Sequence, residues 1–426
     1  MRFLLLINTK KRNKILLRFL LRRNDKESIR SISFLTIPQN FFTFRPAKNK
    51  SMSKFPHLGT SIFSIMSQMA NEHQAINLSQ GFPNFPVDAR LKELVAKWAK
   101  EEVHQYLPMA GFPPLLEKIA TLTQQSYGRK VNPATEILIT AGATEGIFAS
   151  IQALVYPKDE VIILDPSYDC YETPILLCNA IPKRIPLNDD FTPNWELIST
   201  TMTANTRMII INNPHNPTGK IWMEDDFLQL EKLLELYPNL IVLSDEVYEY
   251  ITFENQHISV HHRPKLAQRS IAVSSFGKSF HITGWKIGYL VAPETLMQEI
   301  KKVHQFLVFS VNSIAQYALN DYIEMVQIST LGDFYQQKRD FFRQLCQQTR
   351  FELLPCEGSY FQIASYKNIS TENDLDFTKR LVTEYGVATI PLSPFYSNGK
   401  QTQCIRFCFA KDDNTLQNAV DRLIKL

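Results

Sequence analysis

Short apolar runs alternate with amphipathic stretches from about Asn71 onward. Runs rich in β-branched residues predict strands, and apolar residues at helical spacing predict helices. Helices are predicted over Ala143–Val155, after Tyr168 and over Glu224–Leu236. Nearly continuous apolar strands that alternate with helices indicate a mostly parallel sheet covered on both faces. The strands predicted for this sheet are Glu136–Thr140, Val161–Leu164, Met208–Ile211, Leu240–Leu243, Ile271–Val273 and Ile287–Val291.

The pattern changes after about Ser313. A helical run through Tyr335–Thr349 precedes three predicted strands, at Phe351–Leu354, Tyr360–Ala364 and Ile405–Phe409. Several strands and helices that no longer alternate regularly indicate a second, smaller α+β domain. There is no internal repeat and no low-complexity linker.

The charge of the chain is distributed unevenly. The whole chain of 426 residues carries a net charge of +4. Its first fifty residues hold thirteen Lys and Arg but only Asp25 and Glu27, a net +11 that leaves −7 for the other 376 residues. The mildly acidic body argues against nucleic acid as a partner. Residues 1–51 have three open interpretations: a gene-model extension before a true start at Met52, an organellar transit peptide, or a functional basic arm.

Composition sets further bounds. A hydrophobic content of 44% and a charged content of 21% describe a globular protein. No apolar run approaches the roughly 18–20 residues that span a bilayer, so no membrane partner is predicted. The six cysteines form no Cys-x-x-Cys pair, which predicts reduced, mostly packed thiols in a cytoplasmic protein, with mitochondrial import as a minor alternative. No metal site is predicted.

Polar and aromatic residues follow five of the predicted strands. In open α/β sheets, ligands bind outside the carboxyl ends of the strands. We therefore expect these segments to converge on one edge of the sheet. The segments are Ala141–Glu145 (AGATE), Pro166–Tyr168 (PSY), Asn213–Gly219 (NPHNPTG), Asp245–Tyr248 (DEVY) and Phe276–Phe280 (FGKSF).

The side chains in these segments indicate a phosphorylated cofactor. The turn around Gly142 opens a helix whose free N–H groups can hold a phosphate. Lys278 can form a Schiff base, with Lys286 as a second cation for the phosphate. Asp245 could hold a protonated ring nitrogen and Tyr248 a phenolic oxygen. Each feature alone is ordinary turn, cap or surface chemistry, but together they match the requirements of pyridoxal phosphate.

Three motifs extend this interpretation to a family. The segments Asn213–Lys220, Ser244–Tyr248 and Ser274–Gly288 resemble class I and II, fold-type I pyridoxal-phosphate-dependent aminotransferases. The resemblance runs from about Ser53 to Leu426 and is strongest to the methionine aminotransferase and kynurenine aminotransferase-like branch. Further agreeing segments are Lys54–Phe63, Ile76–Pro83, Gln105–Gly111 and Ile405–Lys411.

The resemblance implies a role for each matching position. Lys278 would carry the cofactor as a Schiff base, Asp245 would pair with its pyridine nitrogen, and Tyr248 would contact its 3′-oxygen. Arg406 would bind the substrate α-carboxylate. The other implied cofactor contacts are Ala143, Thr144, Tyr168 (which stacks on the ring), Asn216, Ser275, Lys286 and, from a partner subunit, Tyr106. The other implied substrate contacts are Gly81, Asn216, Ile62, Phe63, Tyr168, Phe309 and Tyr360.

The fold implied is α/β, with a three-layer large domain and a smaller α+β domain. We expect a basic extension over 1–51, an N-terminal arm over 52–80 that joins the small domain, a large domain over 81–312 and a small domain over 313–426. The Tyr106 contact implies a homodimer.

The implied activity is transfer of the amino group of methionine to a 2-oxo acid. Aromatic residues, glutamine and kynurenine are further donor candidates, because no second arginine is evident for an acidic side chain. The alternative is a kynurenine or glutamine aminotransferase with cysteine-S-conjugate β-lyase activity. A DNA-binding regulator would need a folded domain upstream, and residues 1–51 lack a helix-turn-helix pattern. The intact Lys278 argues against a non-catalytic scaffold.

Overall fold

The computed structural model describes residues 6–7, 16–17, 55 and 59–426. It divides into two units, Met1–Gly59 and Thr60–Leu426. The first unit contains an antiparallel pair of short strands, β1 (Leu6–Ile7) and β2 (Leu16–Leu17). The rest of the predicted basic extension, and with it the choice among its three interpretations, lies outside the described residues.

The second unit contains the remaining elements. Its helices are α1 (Ile62–Glu72), α2 (Ala89–Trp98), α3 (Pro113–Tyr127), α4 (Pro133–Glu136), α5 (Ala143–Leu154), α6 (Glu172–Leu177), α7 (Trp195–Thr201), α8 (Glu224–Leu236), α9 (Pro264–Ala267), α10 (Phe276–Ser279), α11 (Glu294–Leu307), α12 (Ser313–Tyr322), α13 (Leu331–Cys346), α14 (Asp374–Tyr385) and α15 (Asp413–Leu423). Its strands are β3 (Ile76–Asn77), β4 (Ile137–Thr140), β5 (Glu160–Asp165), β6 (Ile181–Pro186), β7 (Thr206–Asn212), β8 (Ile241–Asp245), β9 (Ser270–Ser274), β10 (Gly288–Val291), β11 (Glu352–Leu353), β12 (Phe361–Ser365), β13 (Val387–Ala388), β14 (Ile390–Pro391) and β15 (Cys404–Cys408).

A seven-stranded sheet has the order β4-β10-β9-β8-β7-β5-β6. Only β10 runs antiparallel to its neighbours β4 and β9, so the sheet is mostly parallel, as predicted. Three predicted strand ends in this sheet differ slightly, one of them at Leu240, which precedes β8. Glu136 ends α4 instead of beginning β4, and Ile287 precedes β10 because Lys286 adopts a left-handed backbone conformation that interrupts an extended chain.

Helices cover both faces of this sheet. Successive residues of a strand point to opposite faces, so Ile163 packs toward α5, α6 and α11 while Ile162 packs toward α7, α8 and α9. Helices α2, α3 and α12 cover the β4 and β10 edge. Burying each such aliphatic side chain contributes about 1.5–3 kcal/mol. The predicted α/β class with three layers is therefore confirmed.

A second, four-stranded antiparallel sheet has the order β11-β12-β15-β14. Its core includes residues of α13, α14 and α15. Strand β3 pairs in parallel with β13, so the segment before the large sheet is joined to this second region. Helix α12, at the predicted start of the small domain, packs on α2 and α3. The exact domain boundaries stay predictions.

Two further properties concern the helices and the cysteines. Among the described residues, no helix is long and apolar enough to cross a membrane. All six cysteines are free thiols, and four of them, Cys346, Cys356, Cys404 and Cys408, are buried.

Candidate active site

A cavity of about 410 Å³ lies at the carboxyl ends of β4, β5, β7, β8 and β9. Residues that follow each of these strands form its wall, as expected for an open α/β sheet. Segments distant in sequence complete the wall. The predicted site residues that line it are Phe63, Gly81, Ala143, Thr144, Tyr168, Asn216, Asp245, Tyr248, Ser275, Lys278, Lys286 and Arg406.

One end of the cavity is built to hold an anion. Helix α5 begins beside Gly142, which has φ +79° and gives the helix no side-chain cap. A Cβ on Gly142 would lie 3.3 Å from Nζ of Lys286. Lys286 itself has a left-handed backbone, which costs a non-glycine residue about 1–2 kcal/mol and is often found at functional sites. Helix N–H groups, an ammonium and the Ser275 hydroxyl together suit a phosphate.

Asp245, the last residue of β8, lies beneath the cavity. Its Oδ2 accepts a 2.7 Å hydrogen bond from the hydroxyl of Tyr171, and its backbone oxygen accepts one of 2.8 Å from the Asn212 amide. Burial raises the pKa of Asp245 to about 6, although the Tyr171 hydrogen bond opposes the rise. A cation placed against this carboxylate would offset the cost of burial, so the site suits a protonated ring nitrogen.

Lys278 lies in the short helix α10 after β9 and reaches the cavity. Its Nζ donates hydrogen bonds to the hydroxyl of Tyr360 at 3.0 Å and to the backbone oxygen of Gly81 at 3.3 Å. Burial lowers the pKa of Lys278 to about 8. A lysine with a lowered pKa is more often neutral near pH 7, and only the neutral amine is a nucleophile or a base.

Arg406 in β15 is a buried cation without an ion pair among the described residues. Its Nη1 donates to Oδ1 of Asn216 at 2.6 Å, its Nη2 donates to the backbone oxygen of Ser79 at 3.0 Å, and its Nε is buried with no partner. The guanidinium lies 3.8 Å from the ring centroid of Phe361. Burial lowers the pKa of Arg406 to about 10. A buried cation with unused donor capacity suits a carboxylate ligand.

Four predicted residues lie outside the wall of this cavity. Tyr106 is 82% exposed, and its ring lies 5.4 Å from that of Phe309, which is half exposed. Within one chain neither side chain reaches the cavity, so both roles depend on a second copy. Tyr360 is fully buried behind Lys278, so its ring is a support for the lysine and does not line a side-chain pocket. Ile62 begins α1 and packs in the cluster around Met66.

The structure also adds residues that the sequence reasoning missed. Tyr171 and Asn212 hold Asp245, and Asp169 lines the cavity mouth. The sequence indicates only weakly that Tyr171 and Asp169 lie near the site, because both closely follow Tyr168, the residue predicted to stack on the cofactor ring. Asn212 ends a predicted strand, but nothing local shows that its side chain turns toward β8.

The sequence matches the family model for aminotransferases of class I and II over residues 73–423. It is 46% identical to the methionine aminotransferase of Escherichia coli (strain K12) over 378 residues, which are 88% of this chain and 98% of the relative. It is 33% identical to the kynurenine–oxoglutarate transaminase of Dictyostelium discoideum over 430 residues, with 90% of this chain and 97% of the relative covered.

A solved structure shows the same similarity in three dimensions. It belongs to an Escherichia coli protein for which a methionine aminotransferase function was identified. The TM-score is 0.86 at 45% sequence identity, and the match covers 88% of this chain and 100% of that chain. The shared fold therefore extends over nearly all of the described second unit.

Proposed function

The chain belongs to the class I and II aminotransferases, and on this premise we propose that it transfers the α-amino group of methionine to a 2-oxo acid. The family confirms the resemblance seen in the sequence and the assignment as a fold-type I transaminase. The observation that carries the proposal is the meeting of Lys278, Asp245 and Arg406 in one cavity. The similarity to a methionine aminotransferase supports the choice of donor.

We propose pyridoxal 5′-phosphate as the cofactor, because the cavity provides a complementary group for each of its parts. Ala143, Thr144, Ser275 and Lys286 would hold the phosphate. Asp245 and Tyr248 would contact the ring nitrogen and the 3′-oxygen, with Asn216 also near that oxygen and Tyr168 stacked on the ring. The bound cofactor supplies an electron-accepting ring beside the substrate Cα.

The residues of the chain then have distinct tasks. Lys278 would hold the cofactor as a Schiff base, and its free amine would serve as the base and acid that moves the proton at the substrate Cα. Its lowered pKa suits both directions of transfer. Arg406 holds the α-carboxylate, assisted by Gly81 and Asn216, which fixes the Cα within reach of the amine.

The wall of the cavity favours a neutral donor side chain. Its cations among the described residues are Lys278, Lys286 and Arg406, and each has a task at the cofactor or the α-carboxylate. Asp169 adds a negative charge, which disfavours a second carboxylate on the substrate. Phe63, Phe82 and Phe361 supply aromatic surface, and thioether groups pack favourably against aromatic rings.

A second candidate is a kynurenine or glutamine aminotransferase that also cleaves cysteine S-conjugates. The similarity to the kynurenine–oxoglutarate transaminase of Dictyostelium discoideum favours it. Both candidates use the same proton abstraction at Cα. They differ in the fate of the β-substituent, so release of pyruvate without a 2-oxo acid acceptor would identify the lyase.

We also propose that the protein is a cytoplasmic homodimer. Tyr106 and Phe309 pack together at the surface, and Phe306, three residues before Phe309, is 88% exposed. A second copy that covers this aromatic patch would place Tyr106 at its partner's cofactor and Phe309 at its partner's substrate.

The experiment that tests the donor is a panel assay. The purified enzyme, loaded with pyridoxal phosphate, is given the twenty amino acids and kynurenine against several 2-oxo acids. We expect the highest kcat/KM with methionine and little turnover of aspartate. Preference for kynurenine or glutamine would support the second candidate, and no transamination of any donor would contradict both.

A further inference from the structure

The hydroxyl of Tyr360 contacts both Lys278 and Gly81. It lies 3.0 Å from Nζ of Lys278 and 2.6 Å from the backbone oxygen of Gly81. The Nζ of Lys278 lies 3.3 Å from the same backbone oxygen. We call these three groups the lysine dock. They hold the side chain of Lys278 when its amine is not bonded to the cofactor. Only then can the amine transfer protons.

The direction of each hydrogen bond in the lysine dock follows from its chemistry. A carbonyl oxygen can only accept, so the contact between Tyr360 and Gly81 uses the phenol proton. Burial raises the pKa of Tyr360 well above its ordinary value, so the proton stays on the phenol. The phenol oxygen can then only accept from Lys278. Lys278 is therefore the donor in both of its contacts.

Two donated hydrogens fix the orientation of the amine. A neutral amine carries two N–H bonds and one lone pair, and the lysine dock uses both N–H bonds. The lone pair must take the one remaining tetrahedral direction, away from Tyr360 and Gly81. In the ammonium form, the third proton occupies that same direction.

We propose that Tyr360 is a positioning residue that directs the lone pair of Lys278 toward the proton it transfers. This inference rests on the proposed transaminase activity but not on methionine as the donor. Tyr360 does not itself line the cavity and acts through Lys278.

The surroundings keep the lysine dock rigid. The ring of Tyr360 meets those of Tyr248, Tyr335 and Phe361 with centroids 5.1, 5.5 and 4.9 Å away. Gly81 packs so closely that a Cβ there would lie 2.7 Å from the Phe361 ring. Because three rings hold the phenol of Tyr360 in one orientation, its oxygen accepts from Nζ of Lys278 in one fixed direction.

The test compares Tyr360→Phe with a matched control, Tyr335→Phe. Tyr335 is equally buried in the same aromatic cluster, but its hydroxyl has no hydrogen-bond partner among the described residues. Both substitutions remove one buried hydroxyl and keep the ring. Only the first removes an acceptor from Lys278.

The first readout uses the cofactor-free protein. The rate at which an amine-reactive reagent acylates Lys278 is followed by peptide mass spectrometry across a range of pH. The phenol oxygen stabilises the ammonium, so Tyr360→Phe should lower the pKa of Lys278 by about one unit. Tyr335→Phe should leave that pKa unchanged.

The second readout uses the holoenzyme. Tyr360→Phe should lower kcat by about ten- to hundredfold with little change in KM, and should increase the isotope effect of a Cα-deuterated donor. The loss should be the same for every donor that the enzyme accepts. Tyr335→Phe should match the wild type.

Two results would overturn the inference. One is an unchanged pKa of Lys278 together with an unchanged isotope effect. The other is a change in KM that varies with the donor side chain. That result would indicate that Tyr360 contacts the substrate side chain. If the wild type transaminates no donor, the proposed function fails while the acylation assay still tests the lysine dock. Should Tyr360→Phe not fold, fluorotyrosine at position 360 keeps the hydroxyl as a weaker acceptor and should lower the pKa of Lys278 by less.

Discussion

Two neighbouring carboxylates at the end of β8 are both buried, yet their surroundings shift their pKa values in opposite directions. Asp245 is 4% exposed and Glu246 is 1% exposed. Burial raises the pKa of Asp245 to about 6. Burial would also raise the pKa of Glu246, but hydrogen bonds hold it at about 2. The two pKa values differ because the two side chains face opposite sides of the sheet edge, where different groups surround them.

Glu246 faces a side where its hydrogen-bonding needs are met. Its carboxylate contacts Nε2 of His257 at 3.0 Å and accepts from the Ser244 hydroxyl at 2.7 Å and the Val260 N–H at 3.1 Å. Asp245 faces the cavity and has one strong neutral donor, Tyr171. Among the described residues, the carboxylate without an ion pair is therefore the one that faces the cavity, and the carboxylate with an ion pair and further donors lies in the framework beside it.

The same contrast holds for two arginines, Arg184, which is partly buried, and Arg406, which is fully buried. Arg184 pairs with Asp165 at 2.6 Å and with Glu172 at 2.8 Å. Arg406 has two neutral acceptors and an unpartnered Nε. Among the described residues, Asp245 and Arg406 therefore place charges of both signs at the cavity without an ion pair of their own.

The largest effect expected from this contrast comes from Asp245→Ala compared with Glu246→Ala. Asp245→Ala should lower kcat by about a thousandfold, since a preorganised charge at the reacting ring is lost, and it should not destabilise the cofactor-free protein, because the carboxylate that it removes is buried at a cost. Glu246→Ala should destabilise the fold by about 3–5 kcal/mol, because its buried partners are left unsatisfied. Turnover and thermal unfolding are measured for both. If the two variants lost turnover and thermal stability to the same extent, the distinction between Asp245 at the cavity and Glu246 in the framework would be wrong.

A smaller effect is expected from Arg406→Ala compared with Arg184→Ala. Charge-assisted hydrogen bonds contribute about 1.5–3 kcal/mol, so Arg406→Ala should lower kcat/KM by about ten- to hundredfold for every donor, mainly through KM. Arg184→Ala should leave KM unchanged and lower the unfolding temperature. Steady-state kinetics with several donors check this, and a loss confined to one donor would contradict the α-carboxylate role.

The raised pKa of Asp245 predicts a pH dependence of stability in the cofactor-free protein. Between the ordinary value of 3.8 and about 6 the folded state binds the proton more tightly than the unfolded state, so the Asp245 contribution falls as pH rises through that window. A pKa difference of this size corresponds to about 3 kcal/mol in the free energy of unfolding. Denaturant unfolding of the wild type and of Asp245→Asn from pH 4 to pH 7 measures the difference. Asp245→Asn should gain relative stability as the pH rises; a constant difference would argue against the unpaired carboxylate.

The smallest effect is expected at the cavity mouth. Asp169 is exposed and screened by solvent, so its charge discriminates weakly. Asp169→Asn should raise kcat/KM for glutamate by about threefold and leave methionine unchanged. Competition between the two donors in one assay gives the ratio directly. An equal change for both donors would show that Asp169 does not sense the side chain.

Much of this arrangement could be predicted from local sequence. The strands of the large sheet are apolar throughout, and parallel strands bring their carboxyl ends to one edge, so Lys278, Asp245 and Asn216 could be placed together. Arg406 came from the family resemblance alone, because no local pattern relates β15 to the cavity.

The hydrogen bonds that hold Asp245 and Lys278 from behind could not be predicted from local sequence. The hydrogen bond from Tyr171 to Asp245 and the contact of Tyr360 with Lys278 join residues 74 and 82 positions apart. Which buried hydroxyl forms a hydrogen bond with which partner depends on the packing of the folded chain, so the sequence does not show it. Tyr360 was therefore expected in an aromatic pocket, where its ring type fits, and its hydroxyl lies instead behind Lys278.

The most direct test of the central claim is to find which lysine carries the cofactor. The holoenzyme is treated with borohydride, which makes the link between pyridoxal phosphate and the protein permanent, and its peptides are mapped by mass spectrometry. We predict that Lys278 carries the pyridoxyl group and that Lys278→Ala binds the cofactor without a covalent link. A pyridoxyl group on Lys286 or on a surface lysine in place of Lys278 would contradict the account.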